Sequence, residues 1–497
     1  MLAGSTNEAC DDYSAIAGGV NNGIGDNDDA YRSFIGGGDQ NGITARDAFV
    51  GAGTLNVAEG IGSFVGAGGE LAGIEGDLGS NTASGNDSFV GAGDVNTASG
   101  NGAFVGGGGY DLSNSDSTAA KLRNGNAATG TDSFIGAGDL NEVDGTGSFL
   151  GAGGSTLSAL FASTGSRAND VIGEDSFIGA GDLNVIGGNG SFIGAGGYAS
   201  AVNAMSSPNS LAVNEIASND SFIGAGDQNS ISANQGFIGS GFNNRIQTGA
   251  ALATIGGGDG NVVSGEYGAV TGGEGNLVSG TVAAVPGGYH NVASGVASFA
   301  AGYIAEALTA GSFAWSDESS TTVHVRTTAP NQFVARAAGG VDFYSNSALT
   351  SGVRLAPGSG TWGSLSDRAM KTGVVPLDDG AVLAKVAALP VSEWRYTSER
   401  GVRHVGPMAQ DFYAAFGLGE DDRHITSIDE DGIALAAIKA LHADNARLHR
   451  ENERLHRENA ITHAEMLRTR ASDVARLDAL ERKVAALTRL VTSRAGR

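Results

Sequence analysis

The stretch "SFIGAGDLN", residues 176–184, contains the pattern that decides the fold of this chain. Polar and apolar side chains alternate across Ser-Phe-Ile-Gly, which is typical of a short strand with one buried face. The Gly-Ala-Gly that follows indicates a corner, because glycine adopts positive φ without steric cost. The stretch therefore predicts one short strand and one tight turn.

This unit recurs along the chain at a period near 15 residues. The aromatic position is filled, at that spacing within each group, by Phe34, Phe49 and Phe64, Phe89 and Phe104, Phe134 and Phe149, Phe177 and Phe192, and Phe222 and Phe237. Smaller residues then continue the series at Thr254, Ala269 and Ala284, before Phe299. A fixed period of this length is one coil of a solenoid, so we predict stacked coils that bury Phe on Phe and Ile on Val.

A ladder of asparagines lies seven residues after the aromatic position. Its members are Asn22, Asn41, Asn56, Asn96, Asn141, Asn184, Asn229, Asn244, Asn261, Asn276 and Asn291. Stacked amides hydrogen-bond along a solenoid axis. Four coils are followed by long insertions and carry another residue there, namely Leu71, Asp111, Thr156 and Ala199. We therefore expect the ladder to break where a loop leaves the rod, on a side that is often the binding face of repeat proteins.

The charge is distributed unevenly. The net charge of −25 arises within residues 1–313, which hold 6 Lys and Arg against 31 Asp and Glu, whereas the remaining residues hold 23 of each sign. Such an acidic surface argues against binding nucleic acid or an anionic membrane. The chain also has 82 glycines but only 7 prolines. This composition favours a repeat fold over a Pro-rich linker.

Several other kinds of site and segment are not predicted. Cys10 is the only cysteine, so no intrachain disulfide forms. The N-terminal "MLAGSTNEAC" lacks the basic and apolar regions of a signal peptide, and no apolar run is long enough for a membrane span. His404 and His424 lack metal-ligand spacing, and His404 is interpreted as structural. We predict no cofactor, no metal and no membrane insertion.

The composition changes after Trp315. Short β-prone runs broken by Gly and Pro predict a β neck over 314–365. A helical face of Val382, Leu383, Val386 and Leu389 follows and ends at Pro390.

The last segment, 436–497, predicts a coiled coil. Leucines seven apart fill one core position and asparagines fill the other, a pattern formed by Leu441, Leu448, Leu455, Asn445, Asn452 and Asn459. Leu477, Leu480, Val484, Leu487 and Val491 continue it in a register shifted by four residues, which is a stutter. The pattern alone does not choose between a dimer and a trimer.

The stretch "LSDRAMKTG", residues 365–373, holds two residues that can do chemistry. A serine beside a lysine makes a nucleophile and its base, provided that burial lowers the lysine pKa from about 10.4. Ser366 and Lys371 fit that pattern. Alternatively, Ser366 or Asp367 caps a helix and Lys371 is a solvated side chain of its first turn.

The repeats "SFIGAGDLN", "TIGGGDGN" and "AVTGGEGN" resemble the head repeats of trimeric bacterial adhesins and of phage tail fibres. The resemblance covers roughly residues 14–313. It implies a parallel β-roll of which three chains pack together. The C-terminal membrane barrel of the adhesins is absent from this sequence.

A second resemblance covers about residues 366–445. Ser366-Asp367-x-x-x-Lys371, "VAALPVSEWRY", "RHVGPMAQD" and "SIDEDGIALAAIKAL" occur in the order found in the endosialidase-type intramolecular chaperone, although Pro407 departs from its pattern. That domain drives trimerisation and then cuts the chain before its serine. The resemblance implies that Ser366 and Lys371 are catalytic and that the bond between Leu365 and Ser366 is cleaved.

The expected protein is mainly β and trimeric. It has a β-roll over 1–313, a neck over 314–365, a chaperone domain over 366–445 and a coiled coil over 436–497. We expect a fibre or adhesin-like protein of a phage tail or bacterial surface, with a cell-surface glycan or protein as receptor. Its only enzymatic activity would be a single self-cleavage, without an external substrate. The alternatives are a non-cleaving surface protein and, ranked last, a glycan-degrading tail spike that uses paired carboxylates.

Overall fold

The structure is a computed structural model that describes residues 4–25, 29–71, 78–109, 125–154, 168–197 and 213–495. The chain divides into two units, Met1–Leu365 and Ser366–Arg497. The first unit is a roll of two long parallel sheets followed by a small antiparallel sheet. The predicted mainly β solenoid with coils of about 15 residues is therefore confirmed.

One parallel sheet, called here the Phe sheet, begins most of its strands with phenylalanine. Each strand pairs in register with the next coil, as Phe89 does with Phe64 and Phe104. Its strands are Ala15–Ile16, Phe34–Ile35, Phe49–Val50, Phe64–Val65, Phe89–Val90, Phe104–Val105, Phe134–Gly138, Phe149–Gly153, Phe177–Ile178, Phe192–Ile193, Phe222–Ile223, Phe237–Ile238, Thr254–Ile255, Ala269–Val270, Ala284–Val285, Gly288–Tyr289, Phe299–Tyr303, Phe313–Ser316 and Phe333–Arg336.

The other parallel sheet, called here the second sheet, closes the opposite side of each coil. It is also in register, as Thr97 shows by pairing with Thr82 and Ala127. Its strands are Glu8–Ala9, Gly23–Ile24, Gly42–Ile43, Val57–Ala58, Thr82–Ala83, Thr97–Ala98, Ala127–Ala128, Asn141–Val143, Asn169–Val171, Val185–Ile186, Glu215–Ile216, Ser230–Ile231, Arg245–Ile246, Val262–Val263, Leu277–Val278, Val292–Ala293, Ala305–Ala307 and Val325–Arg326.

The core between the two sheets is a column of aliphatic side chains. Ile135, Leu150 and Ile178 are fully buried there. The phenylalanines stack on one another, but they lie on the outside of the roll, where Phe34 and Phe237 are about two-fifths exposed. Successive side chains of a strand point to opposite faces, so a Phe-Ile strand turns only one of them inward. The expected stacking of Phe on Phe is therefore confirmed, but the rings lie on the outer face and the nine between Phe34 and Phe237 are only partly buried on the single chain.

The asparagine ladder is buried and continuous. In most coils the amide nitrogen donates to the amide oxygen of the preceding coil, as Asn96 Nδ2 does to Asn81 Oδ1 at 3.1 Å. Asn56 keeps the ladder continuous through its backbone N–H, which donates to Asn41 Oδ1 at 3.0 Å. The predicted breaks are wrong, because each loop-bearing coil supplies its asparagine after the insertion. The four residues are Asn81, Asn126, Asn169 and Asn214, all fully buried. Asp111, Thr156 and Ala199 lie outside the described residues.

Close contact between coils explains the glycines at the corner after each Phe strand. Gly93 has φ of +105°, and a Cβ there would lie 1.9 Å from the carbonyl oxygen of Gly108. Any side chain would therefore separate the two coils.

The two parallel sheets continue past residue 313 as far as Arg336. Three antiparallel strands, Val341–Tyr344, Gly352–Leu355 and Trp362–Ser364, complete the first unit. A two-stranded hairpin of Glu70–Leu71 and Leu78–Gly79 flanks one insertion.

The second unit is mainly helical. It contains a 3₁₀ helix, Arg368–Met370, and three α-helices, α1 at Asp379–Ala388, α2 at Ala409–Phe416 and α3 at Ser427–Arg494. Two antiparallel strands, Ser392–Trp394 and His404–Gly406, lie between α1 and α2.

The helices of this unit share a small core. Val382 of α1, Phe412 of α2 and Ile433 of α3 pack together. Helix α1 ends just before Pro390, as predicted. The core-position leucines of the predicted coiled coil, such as Leu441 and Leu455, are exposed on the single chain.

Candidate active site

Ser366 and Lys371 flank one short turn at the start of the second unit. Asp367 is the N-cap of the 3₁₀ helix Arg368–Met370, and its Oδ1 accepts the backbone N–H of Ala369 at 2.8 Å. Lys371 is the C-cap, and its N–H donates to the carbonyl of Arg368. Of the two residues predicted as alternative helix caps, Asp367 is the one that caps this helix. The Ser366 hydroxyl is therefore available for another partner.

The turn brings the two predicted catalytic side chains together. Lys371 Nζ lies 2.6 Å from Ser366 Oγ and donates to it. A 3₁₀ turn has a shorter circumference than an α-turn, so a residue five positions later can fold back onto its starting point. This is hydrogen-bond distance for a nucleophile and its base. In the neutral state the same amine would accept the hydroxyl proton.

Both side chains are exposed on the single chain. The burial that the sequence argument requires is therefore not supplied by the chain itself. Apolar side chains close by in sequence are also exposed, with Val374 at 73%, Val375 at 76% and Leu377 at 60%. Three large aliphatic residues in water beside a polar pair indicate a surface that gains stability when another molecule covers it.

His404 and His424 each contact a carboxylate, and His404 also contacts aromatic rings. His404 Nε2 lies 2.8 Å from Glu399 Oε2, and the ring stacks on Trp394 at 4.8 Å between centroids. His424 pairs with Asp421. The pKa of Asp421 is lowered, first by the backbone N–H of Arg423 and then by His424. These contacts fit the structural role predicted for His404.

The described ranges also bear on metal binding and on membrane insertion. No three His, Cys, Asp or Glu residues within them are grouped as metal ligands. Their helices include none whose length and hydropathy suit a bilayer span.

Aspartates mark the places where three insertions leave the roll. The backbone N–H groups of Gly69, Gly109 and Gly154 donate to carboxylates one coil further on, at 3.0 to 3.1 Å, and those carboxylates belong to Asp94, Asp139 and Asp182. Desolvation raises the pKa of Asp139 and Asp182, and the glycine N–H bond opposes that shift. Residues 72–77, 110–124 and 155–167 of these insertions lie outside the described residues.

Sequence reasoning missed a shallow aromatic cleft near the end of the roll. A cleft of about 320 Å³ is lined by Tyr289, Tyr303, Trp315 and Asp317, among others. Tyr289 and Tyr303 stack at 4.8 Å between centroids. The available signal was the pair of tyrosines 14 residues apart, outside the phenylalanine position. The repeat alignment hid it, because that alignment followed only the phenylalanine and asparagine positions of each coil.

Residues 366–417 match the family model described as chaperone of endosialidase. No curated protein matches the chain. The family match covers the Ser366–Lys371 pair and begins at Ser366 itself. Together with the long parallel roll, it supports a trimerisation or chaperone role for the C-terminal unit of a fibre-like protein.

Proposed function

We propose that this chain is a trimeric, surface-binding fibre protein of a phage tail or bacterial surface. Its C-terminal unit gathers three chains, assists the folding of the roll and then cuts itself away between Leu365 and Ser366. The proposal keeps the division predicted from the sequence into roll, neck, chaperone domain and coiled coil. Its premise is the match of residues 366–417 to the chaperone of endosialidase family.

The observation that carries the proposal is the contact of 2.6 Å between Lys371 Nζ and Ser366 Oγ at this position in the chain. The family match begins at Ser366, and the boundary between the two structural units also falls between Leu365 and Ser366. A cut at this bond would separate the units without breaking a strand or a helix. A serine and a lysine that met by chance would not be expected at such a boundary.

The proposed chemistry is an acyl shift followed by hydrolysis. Ser366 Oγ attacks the carbonyl carbon of Leu365, while the neutral amine of Lys371 takes the hydroxyl proton. The peptide C–N bond breaks, the acyl group becomes an ester of Ser366, and the proton passes to the departing amine. Water then hydrolyses the ester. The products are a Leu365 carboxylate and a new N-terminal serine whose hydroxyl is restored.

Trimerisation would make the cut conditional on assembly. A lysine acts as a base when its ammonium form is disfavoured, and covering by neighbouring chains removes the water that stabilises that form. The exposed side chains of Val374, Val375 and Leu377 provide an apolar surface for such covering. We therefore propose that an unassembled chain stays intact and that assembly activates the Ser366–Lys371 pair.

A folding aid suits a roll of this kind. Each strand of its sheets pairs with a strand of the neighbouring coil, so no strand is paired until that neighbour has also formed. Such non-local pairing is slow and exposes strand edges. Joining three chains at one end raises the effective concentration of their first coils. The C-terminal unit would thereby lower the barrier to the first correctly paired coil.

Cleavage is tested on a denaturing gel of the purified full-length chain. We expect fragments of residues 1–365 and 366–497 from the wild type, and only the intact chain from Ser366→Ala. Ser364→Ala is the matched control, because it removes a nearby hydroxyl from the last strand of the first unit. Mass spectrometry should place the new N-terminus at Ser366.

An intact wild-type chain in a proven trimer would reject autocleavage and favour the alternative of a non-cleaving trimerisation domain. The exposure of the Ser366–Lys371 pair on the single chain is the observation that keeps this alternative open.

A further inference from the structure

We infer that the outer face of the Phe sheet is the surface on which copies of this chain pack against one another. In this arrangement the rows of phenylalanines from different copies meet along a common axis. The inference rests on the trimer proposed above and adds to it the surface that holds the rods together.

Eleven phenylalanine rings form one uninterrupted row on this face. Neighbouring centroids lie 4.6 to 5.7 Å apart, and most of the ring planes are within a few degrees of parallel. The rings belong to Phe34, Phe49, Phe64, Phe89, Phe104, Phe134, Phe149, Phe177, Phe192, Phe222 and Phe237. Although each ring covers part of its neighbours, one edge of the row faces solvent.

The rings and the glycines that follow them are apolar and uncharged, and exposed aspartates such as Asp87 and Asp132 lie at the corner two residues before the rings. The next outward position of each strand is glycine, and ring edges lie close over these glycines, as Phe89 does over Gly91. The outer face of the second sheet differs, because it presents Glu142, Asp170, Glu215 and Arg245 among its outward residues. Charged residues are depleted at the centre of protein interfaces. The two faces therefore differ in the way that an interface differs from a solvated surface.

The size of the strip also argues for a partner. Ten steps of about 4.8 Å give a row about 50 Å long, and three residues across give a width of about 10 Å. The resulting strip of roughly 500 Å² is near the upper end of the apolar patches that single-chain proteins expose. A row of aromatic rings left in water at this length would favour aggregation unless a defined partner covers it.

A second copy of this chain fits the row because the same residue recurs at every level. In parallel copies related by rotation about one axis, each ring meets the equivalent rings at its own height. The three asparagines at the core position of α3, Asn445, Asn452 and Asn459, favour a parallel, in-register arrangement. The acidic balance of residues 1–313 makes other faces repel one another, so the uncharged Phe face is where copies approach at the lowest electrostatic cost.

Cysteine crosslinking of the full-length chain tests this arrangement. In a Cys10→Ser background, Phe89→Cys places a thiol on the row, and Thr97→Cys places one on the second sheet of the same coil. We expect a short bismaleimide to join Phe89→Cys chains into covalent dimers and to leave Thr97→Cys chains single. Equal crosslinking of the two variants, or crosslinking of Thr97→Cys alone, would overturn the inference.

Hydroxyl-radical footprinting of the wild-type protein avoids any variant that fails to fold. We expect the phenylalanines of the row to be oxidised at least tenfold more slowly than Tyr267, which is half exposed at a corner of the roll. Oxidation of the row at a rate comparable to that of Tyr267 would show a free surface and overturn the inference. A sedimentation experiment on the same sample distinguishes the two proposals. A trimer with an accessible row rejects only this interface, whereas a monomer also rejects the proposed trimer.

Discussion

The contact between Ser366 and Lys371 depends on Asp367, the residue that caps the turn between them. Asp367 accepts the N–H of Ala369 and caps the 3₁₀ helix, so Ser366 does not need to do so. A serine that caps a helix offers its oxygen lone pairs to backbone N–H groups. Ser366 instead accepts from a side chain that can exchange a proton.

Lys371→Arg is expected to abolish cleavage. Arginine keeps the positive charge and the reach of lysine, but its guanidinium does not lose a proton at neutral pH and so cannot act as a base. We expect at least a hundredfold slower appearance of the 366–497 fragment on a time-resolved gel. Lys385→Arg, on α1 of the same unit, is the control and should cleave at the wild-type rate. Normal cleavage of Lys371→Arg would exclude Lys371 as the base.

A second residue-scale prediction concerns Asp317. The Ser319 hydroxyl, the Ala338 N–H and the Arg336 guanidinium lower the pKa of its carboxyl to about 2. A lowered pKa in the folded state stabilises the protein above the unfolded pKa of about 3.9, and this stabilisation is lost as pH falls toward 2. We therefore expect Asp317→Asn to be less stable than wild type near pH 5, with a gap that closes between pH 4 and pH 2.

Denaturant melts of both proteins over that pH range, followed by tryptophan fluorescence, measure the gap. Other carboxylates titrate in both proteins and cancel in the comparison. A gap that stays constant from pH 5 to pH 2 would contradict the prediction.

At the scale of the element, the asparagine ladder makes each coil dependent on the next. Asn184 Nδ2 donates to Asn169 Oδ1 and to the carbonyl of Gly196, and its own oxygen accepts from Asn214. The side chain is fully buried, so none of these bonds is readily replaced by water.

Asn184→Ala is expected to weaken the roll locally by about 3 kcal/mol, because buried donors and acceptors in two coils lose their partners. Hydrogen exchange of the amides between 169 and 216 measures the loss. Asn189→Ala is the matched control, since Asn189 belongs to the same coil but is exposed. We expect that control to cost less than about 1 kcal/mol. Equal costs would show that the ladder contributes no more than a surface bond.

The repeat predicted the coils well, but it did not predict two of their features. Counting forward from each phenylalanine lost the asparagine wherever an insertion intervened. Counting back eight residues from the next phenylalanine finds Asn81 and Asn126, because each asparagine is fixed relative to the coil that follows it. The outward position of Phe89, in the strand Phe89–Val90, was also missed. In a strand two residues long, alternation places one large apolar residue inside and one outside, and hydrophobicity alone does not say which.

The site shows a similar division between what was and was not predictable. The spacing of Ser366 and Lys371 allowed a contact, and the turn provides it. Whether the pair becomes buried was not predictable, because that depends on the surfaces that other chains would cover. Burial within an assembly is a property of several chains and leaves only an indirect trace in one sequence, such as the exposed valines at 374 and 375.

At the scale of the whole molecule, the proposed cut makes folding a one-way process. We expect the uncleaved Ser366→Ala trimer to regain its roll after denaturation and dilution, because its assembly unit is still attached. The cleaved wild type should recover less than about a tenth as much, since three separated chains must find their first coil unaided.

Far-ultraviolet circular dichroism and gel filtration of the diluted samples measure the recovery. Ser364→Ala, which should be cleaved, is expected to behave as wild type does. Equal recovery of cleaved and uncleaved protein would show that residues 366–497 are not needed for folding.

Because the coils pair in register, the number of coils in the sequence also sets the length of the roll. Each coil adds one strand spacing, about 4.8 Å, so the reach of the fibre changes in whole steps. Insertions follow every second coil between Phe64 and Phe222. Duplicating or deleting a pair of coils would therefore change the length by about 10 Å and keep the aromatic row, the amide ladder and the loop spacing in phase. Evolution can adjust the distance between such a fibre's two ends by copying a segment, without redesigning any contact.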